Sequence, residues 1–424
     1  MAAEIETLRL STKRNLLLFA ISFSLGAGLA FNVRPLIFLG ECLLGLAAWA
    51  WFHSGRRREL FRFRRDHHPR CFENDPVEVQ LHCAYEGKVA LDLVEIRDTF
   101  APGRSYFVNN LVPEPLVSSH ELNLNYENLC SHRRGLYTIG PVRLRCADGL
   151  GIFLHEHEFD VFTALYVYPK VPEVERLDLL EEGTLRHVGQ EVFARSGRSE
   201  QFRAIREYRP GDALNLIHWP STARHGRPMV KEFDDDVVTD VSIFLDLHRL
   251  SLRGVGDVTS VEYMIKAAAA TARAAIARSH RVQVFALAHR ADHVPLGGGW
   301  PHLLTVLDRM TLYRASGDHD FADEVGRRIA LLPRGGTVVL IVSATNFRLA
   351  RCRPLVEQMI ADHMKVIAIL IDDRSFLKLF FEQEAMHIGA PQLPAIVEEL
   401  KRLGCRVITA ASGEDLRVRM EMVE

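Results

Sequence analysis

Residues 237–246 read Val-Val-Thr-Asp-Val-Ser-Ile-Phe-Leu-Asp, an apolar run of strand length that ends on a carboxylate, and the pattern of the chain changes there. Downstream, apolar runs alternate with helical patterns. Helices are expected over Val261–Ser279, Pro301–Arg314, Phe321–Leu332, Phe347–His363 and Ala395–Leu403. Strands are expected over Val237–Asp246, Arg281–Ala288, Thr337–Ser343, Lys365–Ile371 and Arg406–Thr409. Strands that are apolar on both faces need cover on both faces, which predicts an open α/β fold with a parallel sheet over residues 237–424. Ligands of such sheets sit beyond the carboxyl ends of the strands.

Upstream the period shortens. Val77, Val79 and Leu81, then Val89, Leu91 and Leu93, then Leu136, Thr138 and Ile139, and later Leu165, Val167 and Tyr168 give a short, alternating pattern, and Gly135, Gly140-Pro141 and Asp148-Gly149 punctuate it. This predicts an antiparallel β-sandwich over residues 76–172. Between the two modules, residues 173–236 show no clean periodicity. They gather Arg195, Arg198, Arg203, Arg206, Arg209, Arg224, Arg227 and Lys231 before the acidic run Glu232 to Asp236, and read as an arginine-rich connector.

At the start of the chain, apolar runs Asn15–Phe31 and Pro35–Phe52 are separated only by Asn32, Val33 and Arg34. Each has the minimum length for crossing a bilayer, so residues 15–52 are expected to form a transmembrane helical hairpin after a cytoplasmic segment 1–14. Residues 53–75 then read as a basic juxtamembrane linker. Lys13 and Arg14 before the pair, and Arg56, Arg57, Arg58, Arg62, Arg64 and Arg65 after it, favour a two-pass topology with the bulk of the chain in the cytoplasm of a bacterial inner membrane. Membrane lipid is the partner expected for the hairpin. Glu41 is costly inside such a span, at about 2.5 kcal/mol or more unless partnered. A signal peptide or a buried soluble helix pair are the alternatives.

A formal net charge of −2 argues against a general nucleic-acid binder, which needs a basic excess to neutralise phosphates. Seven cysteines lack the paired short spacing of a zinc site and fit reduced thiols. No Walker motif, dinucleotide fingerprint or metalloprotease helix is present, so no cofactor is expected.

The run Arg206-Glu207-Tyr208-Arg209-Pro210-Gly211-Asp212, followed by Ile217-His218-Trp219, Ser221, Ala223-Arg224, Gly226 and Lys231-Glu232, resembles the signature of the bacterial domain of unknown function 58 family. Arg134-Gly135-Leu136-Tyr137 with Gly140-Pro141, and Asp148-Gly149-Leu150-Gly151-Ile152-Phe153, resemble that family's sandwich motif. The resemblance implies an α/β domain like that of von Willebrand factor type A. It also implies a membrane-anchored interaction protein that accompanies a MoxR-type AAA+ ATPase in assembly, chaperoning or envelope processes, with no established activity.

Ligand-binding type A domains hold Mg²⁺ through an Asp-x-Ser-x-Ser turn, a Thr on a second loop and an Asp after a later strand, because a hard cation takes hard oxygens. Here the first turn is Asp246-Leu247-His248-Arg249-Leu250, with Ser251 one residue out of register, and Ala344 stands where an acidic residue is common. The middle loop is assigned to Ser316–Asp318. A site degenerate at Asp246, His248, Leu250 and Ala344 is expected to hold no metal, and Asp246 to brace the strand end.

Three further patterns carry a plainer reading. His155 and His157 share a strand face but suit the solvated face of an edge strand. Gly297-Gly298-Gly299 lacks the lysine of a phosphate cradle. His218 and His225 near Asp212 and Ser221 lack a nucleophile elbow. Recognition is expected at Arg206, Glu207, Tyr208, Gly211, Asp212, His218, Trp219, Arg224 and Lys231, whose alternative role is interdomain architecture. The expected function is therefore a non-catalytic membrane-anchored adaptor. A hydrolase using polar residues of the signature, or a structural envelope component, are the alternatives.

Overall fold

A computed structural model describes residues 2–52, 54, 58–88, 90–91, 93–103, 105–112, 115–117, 120–131, 133–174, 197–209, 216–236, 238–256, 258–378 and 393–422. The chain divides into two compact units, residues 1–168 and 169–424. It is a multidomain protein with mixed sheets and an apolar helix near its start.

The first unit opens with helices α1 (Ala2–Ala30) and α2 (Arg34–Phe52). Glycines bring them into contact: a Cβ on Gly28 would lie 2.9 Å from the Ile37 backbone nitrogen, and one on Gly40 would lie 2.5 Å from Leu25. Ser24 donates across the pair to the Leu36 carbonyl at 2.6 Å. Among the described residues, α2 is the helix long and apolar enough to cross a membrane. Glu41 lies on its exposed surface.

Among the described residues nine strands follow: β1 (Phe61–His67), β2 (Arg70–Phe72), β3 (Pro76–Tyr85), β4 (Leu93–Phe100), β5 (Phe107–Val112), β6 (His120–Leu129), β7 (Gly135–Ala147), β8 (Leu154–Phe159) and β9 (Thr163–Tyr168). They build a sheet β1-β3-β6 and a second sheet β2-β9-β7-β4-β5, with β8 beside β7. Phe61, Leu81 and Tyr85 of the first sheet pack with Ile96, Leu144 and Phe159 of the second. The period of two is what supplies these inward faces. Two details differ from expectation. The β2–β9 pair is parallel, and residues 61–67 and 70–72 of the expected linker are strands of the sandwich.

The reason for the second difference is Arg65. Its neighbours Phe61 and Phe63 already set an alternating pattern, but the inward position of Arg65 is charged and reads as part of a basic flank. In the structure its side chain is fully buried against Asp98. Arg62 pairs with Glu86 at 3.2 Å and Arg64 with Asp66 at 3.1 Å.

The second unit begins its described structure with β10 (Gly197–Glu207), α3 (Trp219–His225) and β11 (Met229–Asp236). The arginine-rich connector thus contains a strand pair and a helix, hidden from periodicity by charged residues at alternate positions. Next comes a six-stranded sheet of β12 (Asp240–Asp246), β15 (Arg281–Leu287), β16 (Asp292–Gly297), β17 (Thr337–Ser343), β18 (Lys365–Ile371) and β19 (Arg406–Ala410). A short hairpin, β13 (Gly254–Val255) with β14 (Val258–Thr259), lies between β12 and β15 in sequence. The sheet order is β16-β15-β12-β17-β18-β19. All neighbours are parallel except β16, an antiparallel edge strand that the sequence pattern did not reveal.

Helices α4 (Ser260–Ala277) and α5 (Trp300–Leu312) pack together, α4 lying against β12, β15, β17 and β18. Alternate strand residues Phe244, Phe285, Val338, Leu340, Val342, Val366, Ala368 and Leu370 face α6 (Phe321–Arg328), α7 (Leu349–Ala361) and α9 (Leu393–Arg402). Short helices α8 (Asp373–Lys378) and α10 (Leu416–Glu421) complete the described unit.

Candidate functional site

The signature segment folds as a strand pair with a helix between its strands. Tyr208 N–H donates to the Pro228 carbonyl at 2.9 Å, and His218 N–H to the Met229 carbonyl at 2.7 Å. Register runs Ile205↔Lys231, Arg206↔Val230 and Glu207↔Met229. Pro220 sits in the first turn of α3, where its missing N–H has no intrahelical acceptor to lose. His218 caps that turn: Nδ1 accepts from Ser221 N–H at 3.3 Å and meets Ser221 Oγ at 2.8 Å. Gly226 ends the helix at φ 63°, a left-handed conformation suited to glycine.

This frame holds Trp219 69% exposed on the first turn. Arg224 is exposed and forms no ion pair among the described residues. Glu207 pairs with Arg227 at 2.9 Å, and Arg206 donates to the Glu207 carbonyl at 3.1 Å. Lys231 is half-buried on β11. Arg206, Glu207, Tyr208, His218, Trp219, Arg224 and Lys231 therefore share one small unit, whereas Gly211 and Asp212 lie outside the described residues. The His218–Ser221 contact is a capping contact. Among the described residues no carboxylate reaches His218 to orient it for base catalysis.

The second focus is the carboxyl end of the sheet, where β12 and β17 are neighbours and the strand order reverses. Asp246 is buried there. Its Oδ1 accepts from His248 N–H at 3.0 Å, and its Oδ2 from Ser251 Oγ at 2.6 Å and Asn346 Nδ2 at 3.1 Å. Ser343 Oγ donates in turn to Ser251 Oγ at 2.9 Å. Burial pushes the Asp246 carboxyl above its ordinary pKa, with these hydrogen bonds opposing the shift. His248 caps a 3₁₀ turn at Arg249–Ser251, Leu250 is 60% exposed, and Ala344 is buried with its N–H on the Ile371 carbonyl at 2.8 Å. The middle loop does come here: Gly317 N–H donates to Leu247 O, and Arg249 N–H to Gly317 O, each at 2.9 Å.

The residues present do not fit a divalent cation. Three protein donors occupy most of the lone-pair sites of the carboxylate that would bind it, and its hydroxyl neighbours are turned into a hydrogen-bonded chain. Among the described residues no cluster of three His, Cys, Asp or Glu side chains suits a metal. Ser343 and Asn346 are members of this cluster that sequence reasoning missed, as are Asp373 and Arg253 beside it. Asp373 accepts from Thr345 Oγ1 at 2.8 Å through Oδ1, while its buried Oδ2 has no hydrogen bond and lies 3.9 Å from Arg253 Nε. Burial raises the Asp373 pKa. The one available signal was position, since each residue lies at or beyond the carboxyl end of a strand.

Elsewhere, His155 and His157 stack on edge strand β8 with ring centroids 6.4 Å apart. Gly297–Gly299 ends β16 and starts α5.

Residues 204–379 match the model of a family described as protein of unknown function DUF58. The uncharacterized protein YeaD of Bacillus subtilis (strain 168) is 28% identical over 147 residues, 33% of this chain and 34% of that protein. The chain thus spans about a third of that relative's length. Among solved structures, a CARDB domain from Pyrococcus furiosus in complex with di-metal ions is 14% identical, covering 25% of this chain and 91% of its own, with a TM-score of 0.20. A GH20 exo-β-N-acetylglucosaminidase from Vibrio harveyi is 8% identical over 82% of this chain and 81% of its own, with a TM-score of 0.20. Likeness at that level carries no argument here.

Proposed function

The chain belongs to the DUF58 family through residues 204–379, and from that premise we propose that it is a membrane-anchored protein-interaction adaptor without catalysis of its own. Its partner is a MoxR-type AAA+ ATPase acting in assembly, chaperoning or envelope processes. The observation that carries the reading is the signature unit: Trp219, 69% exposed, stands on a capped helix whose exposed Arg224 has no ion pair among the described residues. Trp and Arg are the side chains that most often anchor protein interfaces.

In this reading α1 and α2 cross a bacterial inner membrane as a hairpin in contact with lipid, and the bulk of the chain faces the cytoplasm. Close glycine contacts between the two helices support the pairing. The α/β body is of the von Willebrand factor type A kind. In its support, the six strands in chain order lie 3-2-1-4-5-6, with the third antiparallel.

Affinity capture of the full chain from detergent-solubilised membranes, with ATP or ADP present, tests the partnership. Absence of an AAA+ ATPase in both nucleotide states would sink it. Orientation is tested by labelling a cysteine placed at Leu111, 69% exposed on β5, in intact cells and in opened membranes, because a hydrogen bond with Cys130 and burial hold the Cys71 thiol well above the usual range. Burial pushes the Cys83 and Cys146 thiols up to about 12, so they are poor reporters.

A further inference from the structure

Cys71 and Cys130 are distant in the chain, yet their thiols meet inside the sandwich. Cys71 is the middle residue of β2 and pairs with Val167 of β9, which places it in the larger sheet. Cys130 directly follows β6, an edge strand of the other sheet, and is fully buried. Both belong to one apolar cluster with Val77, Val79, Ile139 and Leu165, and the two side chains are in hydrogen-bond contact.

The backbone fixes this meeting. A turn over residues 72–75 begins one residue after Cys71, closed by Asp75 N–H donating to the Phe72 carbonyl at 3.1 Å, with Asn74 at φ 66°. Cys130 is bonded to that turn on both sides. Its carbonyl accepts from Asn74 N–H at 2.8 Å, and its N–H donates to the Asp75 carbonyl at 3.0 Å. Glu73 N–H in turn donates to the Tyr168 carbonyl at 2.9 Å, and the Glu73 carboxylate accepts from Arg134 N–H at 2.9 Å, beside the start of β7. Both cysteines are therefore held in register from either sheet.

Access divides the roles within the pair. Cys71 is half-buried and reaches solvent, whereas Cys130 does not. Contact with Cys130, then burial, holds the Cys71 thiol well above the usual range, so its thiolate is scarce and its first attack slow. The second attack differs, because a thiol fixed in contact acts at high effective concentration. Cys83 and Cys146 also face one another from the two sheets, but both are buried, which denies them an entry point.

We infer that Cys71 and Cys130 are a dithiol modification site, which a low-molecular-weight disulfide such as oxidised glutathione converts into a disulfide joining the two sheets. First the Cys71 thiolate attacks one sulfur of oxidised glutathione; that S–S bond breaks, and one glutathione leaves and takes up the proton that Cys71 lost. Then the Cys130 sulfur attacks Cys71 Sγ, and the second glutathione departs with the Cys130 proton. Two protein thiols are oxidised by two electrons, and one glutathione disulfide is reduced to two thiols. Excess reduced glutathione runs both steps backwards. The product clamps the short edge strand β2 to the end of β6.

The test incubates the full chain in detergent with oxidised glutathione at mildly alkaline pH over hours, alkylates the remaining thiols and maps the digest by mass spectrometry. Loss of both alkylatable thiols is expected, with a linked Cys71–Cys130 peptide pair that dithiothreitol removes. Cys130→Ser traps the first step as a lasting glutathione adduct on Cys71, and Cys71→Ser leaves Cys130 reduced. Should Cys130→Ser fold poorly, Cys130→Ala keeps the site apolar and traps the same adduct. A native chain that stays reduced, that keeps a lasting adduct on Cys71, or that oxidises only in denaturant would overturn the inference. A disulfide joining Cys83 to Cys146 in its place would do the same.

Discussion

The Arg65 guanidinium and the Asp98 carboxylate face each other with both side chains wholly buried, joining β1 to β4 inside the sandwich. Arg65 Nε donates to Asp98 Oδ2 at 2.9 Å, its Nη2 to Oδ1, and its Nη1 to the carbonyls of Ile139 and Val161 at 3.0 and 2.9 Å. Tyr126 Oη donates to Asp98 Oδ2 at 2.7 Å. Burying two charges is tolerated when every lone pair and proton finds a partner, and breaking one side leaves the other stranded.

Asp98→Asn is accordingly expected to destabilise the first unit by about 3–5 kcal/mol. The double change Arg65→Met with Asp98→Leu should recover much of that loss. Hydrogen exchange of the sandwich amides under increasing denaturant measures both; a single variant as stable as the native chain would refute the stranded-charge account.

Tyr126 gives the same cluster a pH signature. Burial, then the Asp98 charge, holds its hydroxyl well above the usual tyrosine range. In the unfolded chain tyrosine ionises near pH 10, so the stabilisation is complete below about pH 10 and is lost as pH rises above it. Denaturant midpoints at pH 9 and 11 should fall more steeply for the native chain than for Tyr126→Phe.

At the sheet end the sign is the same for a carboxylate. With the folded pKa of Asp246 raised, its contribution is fully present below the unfolded value near 4 and declines as pH rises through the window above it. Asp246→Asn should therefore lose less at pH 7 than at pH 4, relative to the native chain. Titration calorimetry with Mg²⁺ or Mn²⁺ is expected to give no stoichiometric heat, and a one-to-one isotherm lost in Asp246→Asn would contradict the assignment.

On the signature unit, Arg224→Glu and Trp219→Ala alter exposed side chains and should shift stability by no more than about 0.5 kcal/mol while reducing partner capture. Unfolding of either variant would favour an architectural role instead. Gly226→Ala, with open space around its Cβ but a left-handed φ of 63°, should cost about 1 kcal/mol, readable in thermal unfolding.

The α/β body was legible because burial on both faces leaves a continuous apolar run. Thr337–Ser343 and Lys365–Ile371 have the ends that the sequence suggests. β16 was not, because Asp292-His293-Val294-Pro295-Leu296-Gly297 places a proline and a histidine in an edge strand, where one side of the ladder needs no partner. β1 was missed for a different reason: its inward charge makes sense only through Asp98, which is 33 residues away. The sheet-end cluster shows the same limit. Asp246 was marked by position, but Asn346, which donates to it, lies 100 residues on and belongs to no motif.

The start of β1 at Phe61 also sets a leash. Residues 53–60, between α2 and the sandwich, span at most about 28 Å even when fully drawn out. With α2 in a bilayer, the near side of the sandwich can stand off the lipid by no more than that reach. Under that tether the sandwich would share the two-dimensional drift of the lipid.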